Sequence, residues 1–153
     1  MAQDIERFFT GKVPRSWFTA PVRVQYDDDE ILCVGVLADG RTAKEFRESS
    51  RDRRVAIAEE AERRFRRKVS WGVEVGGETV LYTTLSIPTM TRLRLAERAV
   101  LDTLVDAGVA RSRSDALAWC VRLVGRHQGE WLADLREALT SVERVRAEGP
   151  TLL

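Results

Sequence analysis

Between Asp115 and Arg126 the chain reads ALAWCVRLVG, and Arg122 is the only charge in that run. At helical spacing Leu117, Cys120, Val121 and Val124 share one face, while Ala116, Trp119 and Leu123 occupy the opposite one. A helix that is apolar around most of its circumference needs neighbours on several sides. The segment around it is only about 40 residues long and rarely supplies such neighbours unaided, so a second chain is their natural source. The expectation is a homodimer built on this helix, with a dimer of dimers as the larger assembly.

The turn before that helix is GVARSRSD, Gly108 to Asp115. Gly108 closes the preceding helix as a left-handed cap. Ser112 accepts the amide of Asp115 while the Asp115 carboxylate reaches back, so the helix starts at Arg113. Its first N–H groups carry partial positive charge, and Arg111 and Arg113 add full charges beside them, an arrangement suited to a phosphate. The plain alternative is that the serines only cap and the arginines only face water.

Upstream, TMTRLRL (Thr89 to Leu95) alternates as a short strand and AERAVLDTLVDA reads as a helix with Val100, Leu101, Leu104 and Val105 on one face. Downstream, EWLADLREALTSVERVRAE carries Leu132, Leu135, Leu139 and Val142 at near-heptad spacing and stops at Gly149-Pro150. Pro88 marks the boundary with everything before it, because proline cannot donate to a sheet and is disfavoured inside strands and helices.

The order strand, helix, glycine turn with S-R-S-acid, apolar helix resembles the ribbon-helix-helix DNA-binding family of Arc, MetJ and CopG type. The resemblance covers residues 89 to 127, about a quarter of the chain. It implies that the strands of two subunits pair antiparallel and enter the major groove together, while the N-terminus of the second helix grips phosphate. Carried onto this chain, Leu93 and Leu95 point inward and Met90, Arg92 and Arg94 face the bases, where arginine is the usual bidentate partner of guanine and Met90 can touch a thymine methyl. Arg111, Ser112, Arg113 and Ser114 are the implied phosphate contacts. Leu93, Leu95, Leu117, Cys120, Val121 and Val124 are the implied dimer core.

The N-terminal part resembles no family recognised from its residues and reads as a ββαββ unit. PVRVQY alternates, DDDE (Asp27 to Glu30) turns, and ILCVGVL is an apolar run of strand length. SSRDRRVAIAEEAERRFRRK then takes helical spacing, with Val55, Ala58, Ala61 and Phe65 as its stripe and Ser49 and Asp52 as a capping box. VSWGVEV and ETVLYTTLSI form a second hairpin around Gly76-Gly77, which supply positive φ.

The net charge of +1 hides a segregation: +5 over residues 41–68 and +3 over 89–128, against −2 over 1–30 and −2 over 129–153. Two basic segments suit a polyanion partner. Within the first, RRFRRK (Arg63 to Lys68) is either a backbone contact or a set of cations at a helix C-terminus. No run has the length and apolarity of a membrane span, and MAQDIERFF has no leader pattern, so a cytoplasmic protein is expected. Cys33 and Cys120, the two cysteines, read as buried structural thiols. The single histidine, His127, has no ligand-spaced neighbours, DDDE lacks a calcium-loop pattern, and the glycines lack a phosphate-cradle context. No enzyme, metal or cofactor is therefore expected, and Trp17, Phe18 and Trp71 read as core rather than as a ligand pocket.

The resulting expectation is an α+β chain in three parts. Residues 1–88 are a ββαββ domain for ligand sensing or oligomerisation, 89–128 a ribbon-helix-helix-like module, and 129–153 an amphipathic helix and tail. The function expected is sequence-specific binding of double-stranded DNA in transcriptional control. The alternative is a structural or protein-interaction module that keeps the dimeric core without reading DNA.

Overall fold

The computed structural model describes residues 2–149. It is a mixed α+β chain that divides into two compact units, at Thr89 and Met90.

The first unit opens with α1 (Ala2–Lys12), which the short apolar pattern of the N-terminus had not marked. Ile5, Phe8 and Phe9, at i, i+3 and i+4, form its buried face. A 3-10 turn (Arg15–Trp17) leads into β1 (Arg23–Tyr26) and β2 (Glu30–Val36). The Asp27 carboxylate between them accepts the amides of Asp29 and Glu30 at 2.9 and 2.8 Å, which fixes the turn. These bonds hold the Asp27 carboxyl below the usual carboxylate range.

Two helices follow, α2 (Ala43–Ser49) and α3 (Arg51–Phe65), where one had been expected over 49–68. The signal for α2 is Thr42-x-x-Glu45. Thr42 Oγ1 accepts the Glu45 amide and Glu45 Oε2 accepts the Thr42 amide, both at 3.2 Å. Ser49 is thus the last residue of α2 rather than a cap, and Ser50 is the residue before α3.

The buried face of α3 is Arg54, Ile57 and Ala61, whereas Val55, assigned to the stripe, is 46% exposed. The shift follows from Arg54, which a polarity pattern places in water. Its Nε donates to Ser50 Oγ at 2.9 Å, its Nη2 donates to the Arg47 carbonyl at 2.8 Å, and its guanidinium lies 5.0 Å from the Tyr82 ring. A charged side chain with those partners can turn inward.

Strands β3 (Lys68–Val75) and β4 (Glu78–Leu81) complete a sheet of order β1-β2-β3-β4. The outer pairs are antiparallel and β2/β3 is parallel, with Cys33 opposite Trp71. A parallel pair requires a long crossover, which α2 and α3 supply. Gly76 and Gly77 have φ of 57° and 83°, as a two-residue hairpin turn demands. Strand β4 ends at Leu81 rather than Ile87, because the Trp71 amide donates to Thr83 Oγ1 at 3.0 Å in place of a ladder carbonyl, and the Tyr82 hydroxyl donates to the Ala43 carbonyl at 2.6 Å.

The core lies on one face of the sheet. Ile31, Cys33 and Trp71 meet Ile5, Phe8, Phe9 and Val13 of the N-terminal segment and Ile57 and Ala61 of α3. Phe8 packs edge-on against Phe65 and Phe9 edge-on against Trp71, at 5.5 and 5.9 Å between centroids. Burial pushes the Cys33 thiol up to about 12, so it stays protonated.

The second unit contains α4 (Leu95–Asp106), α5 (Arg113–His127) and α6 (Gly129–Glu148). The strand expected over Thr89–Leu95 is absent. Residues 83–94 carry no regular element, and Leu95 is already helical. A strand exists by its ladder, and this segment meets no ladder partner among the described residues. None of the described helices is long and apolar enough to cross a membrane.

Candidate nucleic-acid interface

The segment that precedes α4 is held by α4 itself. Glu97 Oε2 accepts the Arg94 amide at 2.6 Å, and Arg98 Nη1 donates to the Leu93 carbonyl at 2.6 Å. Two side chains on successive helical positions therefore pin two successive residues of the incoming chain. Arg94 has extended backbone, with φ −81° and ψ 173°. Leu93 packs against Leu101, Ala110 and Ala116, while Arg92 and Arg94 are exposed and Met90 is 96% exposed. Leu93 alone turns inward here: Thr91 is exposed, and Leu95, expected to point inward, is exposed as the first residue of α4.

The small core of this unit is Leu101, Ala110 and Ala116, lined by Leu93, Leu104, Val105, Leu117 and Cys120. Of the six residues assigned to a dimer core, Leu93, Leu117 and Cys120 thus contact the unit's own interior. Cys120 is half-buried rather than buried. The other three face outward: Leu95 is 75% exposed, Val121 66% and Val124 49%. Val100 of α4 is exposed as well.

Gly108 takes φ 74° after α4, and the amides of Val109 and Ala110 return to the Leu104 carbonyl at 2.9 and 3.2 Å. Ser112 Oγ then accepts the Asp115 amide at 3.2 Å, the cap expected at the start of α5. The return bond differs from expectation. Asp115 Oδ2 accepts the amide of Arg111, not of Ser112, at 3.0 Å, and this bond is the main reason its carboxyl lies below the usual range.

Of the four residues assigned to phosphate, Ser112 is the cap just described and the other three are differently placed. Arg111 is exposed, with Nε 3.7 Å from Asp115 Oδ2, and Ser114 is exposed in the first turn of α5. Arg113 is instead clamped by Asp102 of α4, with Nε–Oδ1 and Nη2–Oδ2 both 2.7 Å. That bidentate bond lowers the Asp102 pKa and raises that of Arg113. Arg113 commits its Nε and an Nη2 donor to joining α4 to α5, a role invisible in the turn motif because its partner lies eleven residues back.

The cluster Arg63 to Lys68 is largely occupied within its own unit. Arg64 lies over the Phe8 and Phe65 rings, Arg67 pairs with Asp28 at 3.2 Å, and Lys68 pairs with Glu62 at 2.9 Å. His127 is an exposed residue at the end of α5, and no group of three or more metal-capable side chains occurs among the described residues.

Residues 3–81 match the family model for the N-terminal domain of Rv1265-like proteins, which is more than half of the chain. The chain belongs to the Rv1265-like family. Residues 94–146 match a second family model, the Mb1296 C-terminal domain, so the two matched regions fall on either side of the Thr89/Met90 division. Among its relatives in the Rv1265-like family are the uncharacterized proteins Mb1296 of Mycobacterium bovis and Rv1265 of Mycobacterium tuberculosis. Each is 51% identical over 164 residues, an alignment covering 99% of this chain and 72% of theirs. No solved structure matches the chain.

Proposed function

We propose that this Rv1265-like chain is a cytoplasmic, sequence-specific DNA-binding regulator that acts as a dimer, through a ribbon-helix-helix-like module spanning residues 89–128. The carrying observation is the pairing of two surfaces on one small unit. Met90, Arg92 and Arg94 stand outward on an extended segment pinned by Glu97 and Arg98, and Leu95, Val121 and Val124 lie uncovered on the helices behind it. A second copy covers the apolar residues and gives the extended segment its antiparallel ladder partner, so one association satisfies both. The arginines then meet guanine edges in the major groove, and Arg111 with the Ser112 and Ser114 hydroxyls faces phosphate. The first unit, a ββαββ-type domain with added helices, senses a ligand or extends the assembly.

Selection of bound sequences from random duplexes by the full chain tests this reading, with light scattering on the same sample. Enrichment of a two-fold symmetric site by a dimer supports it. A monomer at micromolar concentration, or a dimer that retains no duplex at low salt, overturns it. A second reading, a protein-interaction module without DNA, is favoured by α6, where Trp131, Leu135, Leu139, Val142 and Val145 are all exposed. It predicts a dimer that ignores duplex DNA.

A further inference from the structure

Between the end of α1 and the start of β1 the chain makes a wide turn that borders an open-sided cavity of about 330 Å3. The volume is at the lower end of those that hold small organic ligands. Val13, Phe18 and Val22 provide apolar walls, and Pro14 and Pro21 stiffen both ends of the turn by fixing φ. The turn is also tied down in its middle, since the Thr19 amide donates to the Val36 carbonyl at 2.9 Å. The cavity is thus formed before any ligand arrives.

One wall depends on a glycine. A Cβ at Gly35 would lie 2.4 Å from the Phe18 ring, so β2 admits Phe18 against its backbone only because residue 35 has no side chain. The lining holds a single charged residue, Arg15, and no carboxylate. The neighbouring cations Lys12 and Arg23 are paired, Lys12 with Glu60 at 2.8 Å and Arg23 with Glu74 at 2.6 Å. Arg15 makes no hydrogen bond or ion pair among the described residues.

We propose that this cavity is a binding site for a small carboxylic acid with an apolar body, the hydrocarbon lying between Val13, Phe18 and Val22 and the carboxylate paired with Arg15. An apolar lining with one free guanidinium at the edge selects that combination. A neutral molecule of the same shape forfeits the charge-assisted bond, and an amine meets a like charge. The site stands on the first unit alone and is independent of the DNA reading.

The test uses 4-phenylbutanoate and 4-phenylbutanol, which share one body and differ in charge, titrated into the full chain and followed by amide chemical shifts. Saturable shifts confined to residues 10–22 and to Gly35 are expected, with the acid binding about fivefold more tightly than the alcohol. Arg15→Gln removes that preference, so that the acid and the alcohol bind with equal affinity. Gly35→Ala, which drives Phe18 from its seat, and Ala20→Trp, which fills the cavity from an exposed position, each abolish both titrations. The second variant keeps the test valid if the first fails to fold. Absence of saturable shifts, shifts centred on α6, or an acid preference that survives Arg15→Gln would overturn the proposal.

Discussion

Arg113 and Asp102 face each other across α4 and α5 with two parallel 2.7 Å contacts, a fork-to-fork pair joining helices whose shared core contains only Leu101, Ala110 and Ala116 as buried residues. The depressed Asp102 pKa gives the sign of its pH dependence. A carboxyl that titrates lower when folded stabilises at pH above its unfolded value, and the contribution is lost as the pH falls below about 4. Asp102→Asn should lower the melting temperature of the second unit at pH 7 and flatten its acid sensitivity below about pH 4, measured by thermal scans across pH. The same variant releases Arg113, so affinity for non-specific duplex should rise. Unchanged affinity would mean that Arg113 has no reach to phosphate even when free.

On the proposed DNA face, Arg92→Ala and Arg94→Ala should each cost about 1–3 kcal/mol on a selected site and relax the base preference there. Arg111→Ala should weaken all duplexes alike and reduce the slope of log affinity against log salt by about one. Arg98→Ala removes only the anchor on the Leu93 carbonyl, so it should blur base preference with the salt slope unchanged. Salt titrations of the four variants on specific and random duplexes separate these outcomes.

Val121→Asp changes a residue that is exposed in the single chain and covered in the proposed dimer. It should leave the helical content of the subunit intact while weakening dimerisation by more than about a hundredfold, since an unpaired charge buried at an interface costs about 3 kcal/mol or more. Sedimentation across a concentration series measures the shift. An undisturbed dimer would place the interface elsewhere.

In the first unit, Phe9→Ala empties a site with no solvent exposure and should cost about 3–5 kcal/mol in chemical denaturation. Ser50→Ala acts differently. It removes the acceptor for Arg54 Nε and should cost about 1–3 kcal/mol, whereas Arg54→Met removes the charge together with its bonds, keeps an apolar side chain in the same place, and should be close to neutral. A loss for Arg54→Met as large as that for Phe9→Ala would contradict this account of the buried arginine.

Local chemistry was legible at several short motifs that carry their own reason, though the Thr42/Glu45 capping box was missed. Gly76-Gly77 named a hairpin because both positions need positive φ, Asp27 named a turn, Ser112 named the start of α5, and Gly108 the end of α4. The inward Leu93 between outward Arg92 and Arg94 was likewise readable from the period of two in extended backbone, whereas Leu95, expected inward, is exposed because α4 begins there and the period changes. Other features depended on partners distant in the chain. Arg54 became interior only when Ser50, the Arg47 carbonyl and Tyr82 converged on it, and Arg113 became a clamp only when Asp102 arrived from another helix. Helix α1 depended on the sheet face and Phe65 that its three apolar residues cover. Segment 89–94 marks the same division at its sharpest: the sequence placed Leu93 inward between Arg92 and Arg94, but a ladder needs a second strand, and the described residues provide none.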